Sequence, residues 1–256
     1  YTEYGRDLPW RHTSDPYCVL VSEIMLQQTQ VSRGLEKYGE FLDAFPTVHD
    51  LASASTADVI TAWKGLGYNS RALRLHHLAK QVVEKHHGRL PKERARLEAL
   101  PGIGPYTAGA IRAFAFNEPD VFIETNIRRV ILHHFFKKKE QVSDREIIQK
   151  LKRLFCDRGR FTPREWYAAL MDYGTYLKQT HGNNIAKSKH YKQQSIFKGS
   201  DRQIRGAIVR ALTERARGKR ALMTTIDCEP KRIEEQLRKL QAEGLVVHVG
   251  RVYRLP

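Results

Sequence analysis

As far as Lys178, apolar residues recur at i, i+3 and i+4, the spacing of one buried helix face, and no alternating strand pattern competes with it. This spacing predicts helices over 19–38, 56–64, 70–86, 93–100, 107–116, 127–136, 144–155 and 163–178. Asp144, and Thr162 followed by Pro163, have the residue types of helix N-caps, with the proline at the first helical position. The periodicity stops in "HGNNIAKSKHYKQQSIFKG", a polar, basic stretch that reads as a loop or linker. Beyond it the pattern gives a helix over 201–217, a short helix, a turn, a second helix over 230–242, and a β-hairpin turning at Gly250. That order is winged-helix order, in which the second helix of the pair can enter a DNA groove. The reading divides the chain into a helical domain over 1–180, a basic loop over 181–199 and a winged-helix-like domain over 200–256.

Charge narrows the class of partner. The 256 residues carry 44 Lys plus Arg against 28 Asp plus Glu, a formal charge of +16, so the surface favours a polyanion. Cys18, Cys156 and Cys228 lie far apart with no CxxC pair, which encodes neither a disulfide framework nor a zinc or iron–sulfur site. A reducing cytosol and a monomer are expected. No apolar run approaches the roughly 18 residues that cross a membrane, and nothing at the N-terminus reads as a signal peptide.

One short stretch carries chemistry. In "LPGIGPYTA", Gly102 and Gly104 give access to backbone angles closed to other residues, so the chain can turn tightly between two helices. Amides at the start of the second helix, with its dipole, then favour a phosphate, and a glycine without Cβ lets it approach. A plain Gly-rich connection has the same local appearance.

The whole phrase resembles the helix-hairpin-helix of the endonuclease III (HhH-GPD) superfamily of DNA glycosylases. Upstream, "PWRHTSDPYCVLVSEIMLQQTQV", "FPTVHDLASAS" and "WKGLGYNSRALRLHHLAK" resemble the MutY-like adenine glycosylases, so the similarity runs over about 8–178 in four ordered motifs. The resemblance implies a mainly α, two-lobed helix-hairpin-helix glycosylase fold that acts on double-stranded DNA holding a mispaired or damaged base. It also implies a flipped nucleotide and cleavage of its N-glycosidic bond, which needs an acid beside the base and a carboxylate beneath the sugar. Glu23 matches the acid; alternatively it is a glutamate paired with a basic neighbour. Glu124 in "IETN" stands where the family has aspartate, with Asn126 to orient it; its alternative is a helix N-terminal acid. Tyr106 occupies the position of the lysine that forms a Schiff base in bifunctional members, which implies a monofunctional enzyme.

For DNA contact the resemblance implies Tyr68 as a wedge in the base stack and Gln28 with Thr29 facing the opposite guanine. Arg71, the hairpin residues Gly102, Ile103, Gly104 and Thr107, and Lys187 with Lys189 from the basic loop complete the set. A monovalent cation on the hairpin carbonyls is a further expectation. Two departures stand out: the four cysteines of the family's [4Fe–4S] cluster do not follow "MDYG", and the winged helix stands in place of an oxidised-guanine recognition domain. The expected substrate is adenine opposite guanine or 8-oxoguanine. A glycosylase for uracil, thymine or hypoxanthine, and a non-catalytic binder of distorted DNA, are the alternatives.

Overall fold

The structure, a computed structural model, describes residues 5–191 and 196–256, so Lys192 of the basic loop lies outside it. The helices are α1 (Pro16–Met25), α2 (Val31–Ala44), α3 (Val48–Ser53), α4 (Thr56–Ala62), α5 (Ser70–His86), α6 (Arg94–Glu98), α7 (Pro105–Phe114), α8 (Thr125–Phe135), α9 (Asp144–Cys156) and α10 (Pro163–His181). Then come α11 (Asp201–Glu214), β1 (Arg217–Gly218), α12 (Lys219–Thr225), α13 (Pro230–Ala242), β2 (Val247–Val249) and β3 (Val252–Arg254).

Capping chemistry sets the helix starts. Asp15 accepts the amides of Tyr17 and Cys18 at 2.8 and 3.0 Å, with Pro16 at the first helical position, so α1 begins three residues earlier than periodicity predicts. Thr162 caps α10 as expected, in a reciprocal capping box with Glu165. For α9 the cap is Ser143, not Asp144, because Ser143 forms the same kind of box with Glu146. Thr47 and Asp50 start α3, a helix of 6 residues too short to carry a periodic signal.

The long helix expected over 19–38 is instead two. α1 stops at Met25, and the chain turns through residues 26–30 before α2, with Gln28 in the left-handed region at φ 57°.

The chain forms two compact units that cut across the division expected from the sequence. The first takes residues 5–23, 91–99 and 103–191; the second takes 24–90, 100–102 and 196–256. In the first, Ala110, Phe122, Ile127, Ile131, Leu151, Phe155 and Tyr167 form a core from α7 to α10. Two glycines permit close approach: a Cβ on Gly109 would lie 2.8 Å from Phe122 Cβ, and one on Gly174 would lie 2.3 Å from the Asn126 carbonyl oxygen. The segment after α10, expected as a loop, is bound into this unit. Val142 donates to the Lys187 carbonyl at 2.8 Å, Lys189 donates to the Val142 carbonyl at 3.0 Å, and Ile185 and Ser188 are buried.

In the second unit, Ile204, Ile208, Leu222, Ile233, Leu237, Leu245 and Leu255 form one core that includes Ile60 of α4, with Leu73 of α5 packed against it. The sheet order is β1-β3-β2, all antiparallel, with Gly250 turning at φ 59°, so the winged-helix topology expected from the sequence is present. Among the described residues no helix is long and apolar enough to cross a membrane.

Candidate active site

Within the first unit, α1 and α7 bring together Glu23 and Tyr106. Glu23 lies in the buried last turns of α1 with Leu20, Val21 and Ile24 and is only 7% exposed. Tyr106, on the first turn of α7, donates its hydroxyl to Glu23 Oε2 at 2.5 Å. Burial pushes the Glu23 carboxyl up to about 7; the Tyr106 hydrogen bond opposes this and the charge of Glu124 adds to it. Burial, followed by the two nearby carboxylates, raises Tyr106 well above its ordinary value, so its hydroxyl remains a neutral donor.

Glu124 serves α8 as its N-cap, which was one of the two readings open from sequence. Its Oε1 accepts the Ile127 amide at 2.7 Å, and Asn126 Nδ2 reaches its Oε2 at 3.4 Å. Arg129 orients Asn126 in turn, donating to its Oδ1 at 2.5 Å and to the Gly174 carbonyl at 3.0 Å. Burial raises the Glu124 carboxyl, while the amides of Asn126 and Ile127 and the charges of Arg129 and Arg6 pull it back. The two carboxyls therefore have different surroundings. Glu124 has amides and cations that favour its charged form against the burial that raises it, whereas Glu23 has one hydroxyl.

A third carboxylate close to this network had no role in the sequence reading. Asp172 of α10 accepts from Arg6 at its backbone amide (2.9 Å) and Nε (2.6 Å), and from both Arg11 guanidinium nitrogens at 2.6 and 2.7 Å. Burial pushes Asp172 up, but these bonds outweigh it and hold the carboxyl below its usual range. The partners are 161 to 166 residues apart, so no local pattern pointed to them. The only sequence signal was that Asp172 falls inside the quoted "MDYG".

The helix-hairpin-helix glycines differ from each other. Gly102 is left-handed at φ 81°, as the tight turn requires. Gly104 has φ −101°, an extended angle open to any residue, and a Cβ there would meet nothing within 4 Å. Its expected need for unusual backbone angles is therefore not met, and its missing side chain leaves open space beside the α7 N-terminus, which no side chain caps. Ile103 and Thr107, expected on DNA, are buried.

The remaining residues fall into two groups. In the second unit, Arg71 is 5% exposed, and its guanidinium donates to the carbonyls of Ile24, Met25, Gln27, Leu66 and Gly67 and to Thr29 Oγ1, at 2.7 to 3.1 Å. Burial lowers its pKa to about 10, which leaves it charged. Arg71, expected on DNA, is thus turned inward, where it ties the end of α1 to the Tyr68 loop. Gln28 and Tyr68 are exposed and both left-handed, at φ 57° and 47°. In the first unit, Lys189 is exposed, whereas Lys187 donates its ammonium to the Lys137 carbonyl at 2.7 Å.

Comparison with known proteins agrees with this geometry. Residues 21–156 match the HhH-GPD superfamily of base excision DNA repair proteins, a span that runs from Glu23 through Tyr106 to Glu124. The chain belongs to that superfamily. This HhH-GPD protein is 32% identical over 229 residues to an adenine DNA glycosylase of Mycobacterium tuberculosis, covering 83% of this chain and 75% of the relative. It is 43% identical over 140 residues to the human adenine DNA glycosylase, covering 51% of this chain and 26% of that protein. Among solved structures it resembles a thermostable thymine-DNA glycosylase with a TM-score of 0.58 and 28% identity, covering 66% of this chain and 78% of that one.

Proposed function

We propose that this chain is a monofunctional DNA glycosylase that removes adenine mispaired with guanine or 8-oxoguanine in double-stranded DNA. The observation that carries the reading is the unequal pair of buried carboxyls, with Glu23 lifted to about 7 under the Tyr106 hydroxyl and Glu124 accepting the Ile127 amide amid cations that favour its charged form. As the N-glycosidic bond breaks, its electron pair leaves with the base, and the Glu23 proton neutralises the negative charge there. The positive charge that develops on the sugar is stabilised by Glu124. Water then adds at the sugar carbon and gives up a proton, which restores the acid.

Adenine as substrate is supported by the names of the M. tuberculosis and human relatives. Single-turnover assays on duplexes bearing defined mispairs test it: adenine release is expected, with Glu23→Gln slowing it at least about 100-fold. Release of thymine, uracil or hypoxanthine instead, or binding without release, would overturn the substrate or the activity.

The absence of lyase chemistry rests on Tyr106, because a phenol cannot form the imine that a lysine forms. Borohydride added during turnover should trap no covalent DNA adduct; a trapped adduct would refute the monofunctional reading.

The residues present do not fit an iron–sulfur cluster held by four thiolates. Cys18 and Cys156 lie in the first unit and Cys228 in the second, and the chain after α10 supplies hydrogen bonds in place of cysteines. We read the enzyme as cluster-free, to be checked by iron content and visible absorbance of the purified protein. A monovalent cation on the carbonyls around Gly102 belongs to the same reading, and exchange of potassium for lithium in a DNA-binding assay tests it. The reading also has the enzyme act as a monomer on the chromosome in the cytoplasm, and a solution mass near 29.6 kDa checks the first point.

A further inference from the structure

Tyr68 stands in a loop between α4 and α5 with an unusual backbone: Gly65 at φ 98°, Gly67 at 71° and Tyr68 itself at 47°. A left-handed tyrosine persists only where its surroundings over-determine it. The surroundings here come in part from the winged helix. Arg202, on the first turn of α11, donates from Nη1 to the Tyr68 hydroxyl at 2.7 Å, and its guanidinium carbon lies 5.7 Å from the centre of the Tyr68 ring. A second guanidinium, that of the buried Arg71, lies 5.7 Å from the same ring centre. Arg202 also stands 5.9 Å from the ring of Phe197, which is 59% exposed. α11 cannot drift from this arrangement, because Ile204 and Ile208 share a core with Ile60 of α4, the helix that feeds the loop.

We propose that Arg202 is a positioning residue for base extrusion, through which the winged helix holds the Tyr68 ring ready to enter the base stack. The proposal rests on reading Tyr68 as the wedge. An exposed tyrosine on a mobile rotamer must be ordered at the moment of insertion, at a cost in rate. A ring already fixed by a hydrogen bond at its hydroxyl and a cation near its face avoids that cost. The C-terminal subdomain then acts on the chemistry from a distance through the wedge, with no need for its α13 to lie in a groove. Part of that helix's charge is already paired: Arg232 with Asp201, Lys239 with Glu235, and Glu234 with Lys219.

The test uses the full chain and a duplex with 2-aminopurine at the target position, read by its fluorescence on extrusion, beside single-turnover release of adenine from the matching mispair. Arg202→Ala should slow release about 10-fold and lower the fluorescence rise. Arg202→Lys should fall between it and the unaltered chain, and carries the test should Arg202→Ala fail to fold. Tyr68→Phe, which keeps the ring and removes the hydroxyl, should reproduce part of the loss. In a Tyr68→Ala background, Arg202→Ala should have no further effect, because the two act as one unit. Equal slowing in both backgrounds would overturn the proposal, because Arg202 would then act independently of the wedge. A slow Tyr68→Ala with Arg202→Ala at full rate would sink the Arg202 role alone. Tyr68→Ala at full rate would sink the wedge reading and the proposal with it.

Discussion

At the scale of single residues, a carboxyl that burial lifts from 4.5 to about 7 ties activity and stability to pH in linked ways. The proton needed by the leaving base is present below about pH 7 and is lost above it. The single-turnover rate should therefore fall by up to tenfold per pH unit on the alkaline side. The stability sign follows from the same raised value. Below pH 4.5 Glu23 is protonated whether folded or not, and no penalty exists. Between about 4.5 and 7 the unfolded chain ionises first, so stability declines as pH rises, by about 3 kcal/mol in all. Glu23→Gln should consequently stabilise the protein at pH 8 and not at pH 4.5, while inactivating it at both. Thermal melts at the two pH values check this, and equal shifts at both would argue against a buried neutral acid.

Between elements, two junctions decide where the site residues stand. The first is the end of α1, where the Arg71 guanidinium donates to the last carbonyls, at Ile24 and Met25. A lysine there offers one compact group for acceptors on two separate turns, so Arg71→Lys should cost about 3 kcal/mol in urea unfolding, nearly as much as losing the charge. Unchanged stability would mean that the turns hold themselves. The second junction is the contact of α8 with α10. An alanine at position 174 would drive its Cβ against the Asn126 backbone, from which it would be 2.3 Å away. Gly174→Ala should destabilise by about 1–3 kcal/mol and should slow chemistry disproportionately. The shift reaches Asn126, Arg129 and Glu124 together, and about 1 Å at a reacting group is enough for a 100-fold loss. Loss of stability with an unchanged rate would separate the helix contact from the site.

For the whole molecule, the formal charge of +16 makes DNA affinity a matter of counterion release. Binding to a duplex with a non-cleavable adenine analogue should weaken about 1000-fold between 50 and 200 mM salt if six phosphates are neutralised. A flat response would point to a mainly apolar interface. The fused core of the second unit carries a prediction of its own. A chain ended before residue 196 would expose Ile60, Leu73 and Ala57 to water, so it should lose the cooperative unfolding of α2 to α5 instead of behaving as an intact helical domain. Hydrogen exchange in α4 and α5 reads that directly.

What the sequence determined by itself was everything written in neighbouring residues. The helix faces, the Thr162 cap, the turn at Gly102 and the winged-helix order all have local patterns. The tertiary structure alone decided what burial does to charged groups. Arg71 reads as a surface cation in a helical pattern, yet it is enclosed by carbonyls from its own preceding loop and from a turn 44 to 47 residues away. The break in "LQQTQ" carries no Gly or Pro to announce it, because Arg71 ends that helix from 42 to 47 residues away. Asp172 draws its partners from the other end of the chain. Glu23 and Glu124 are the same residue type, and only their different neighbours in space set them apart, one under a hydroxyl and the other among amides and cations. Local propensity is a property of sequence, whereas desolvation and long-range hydrogen bonding exist only once the chain has folded.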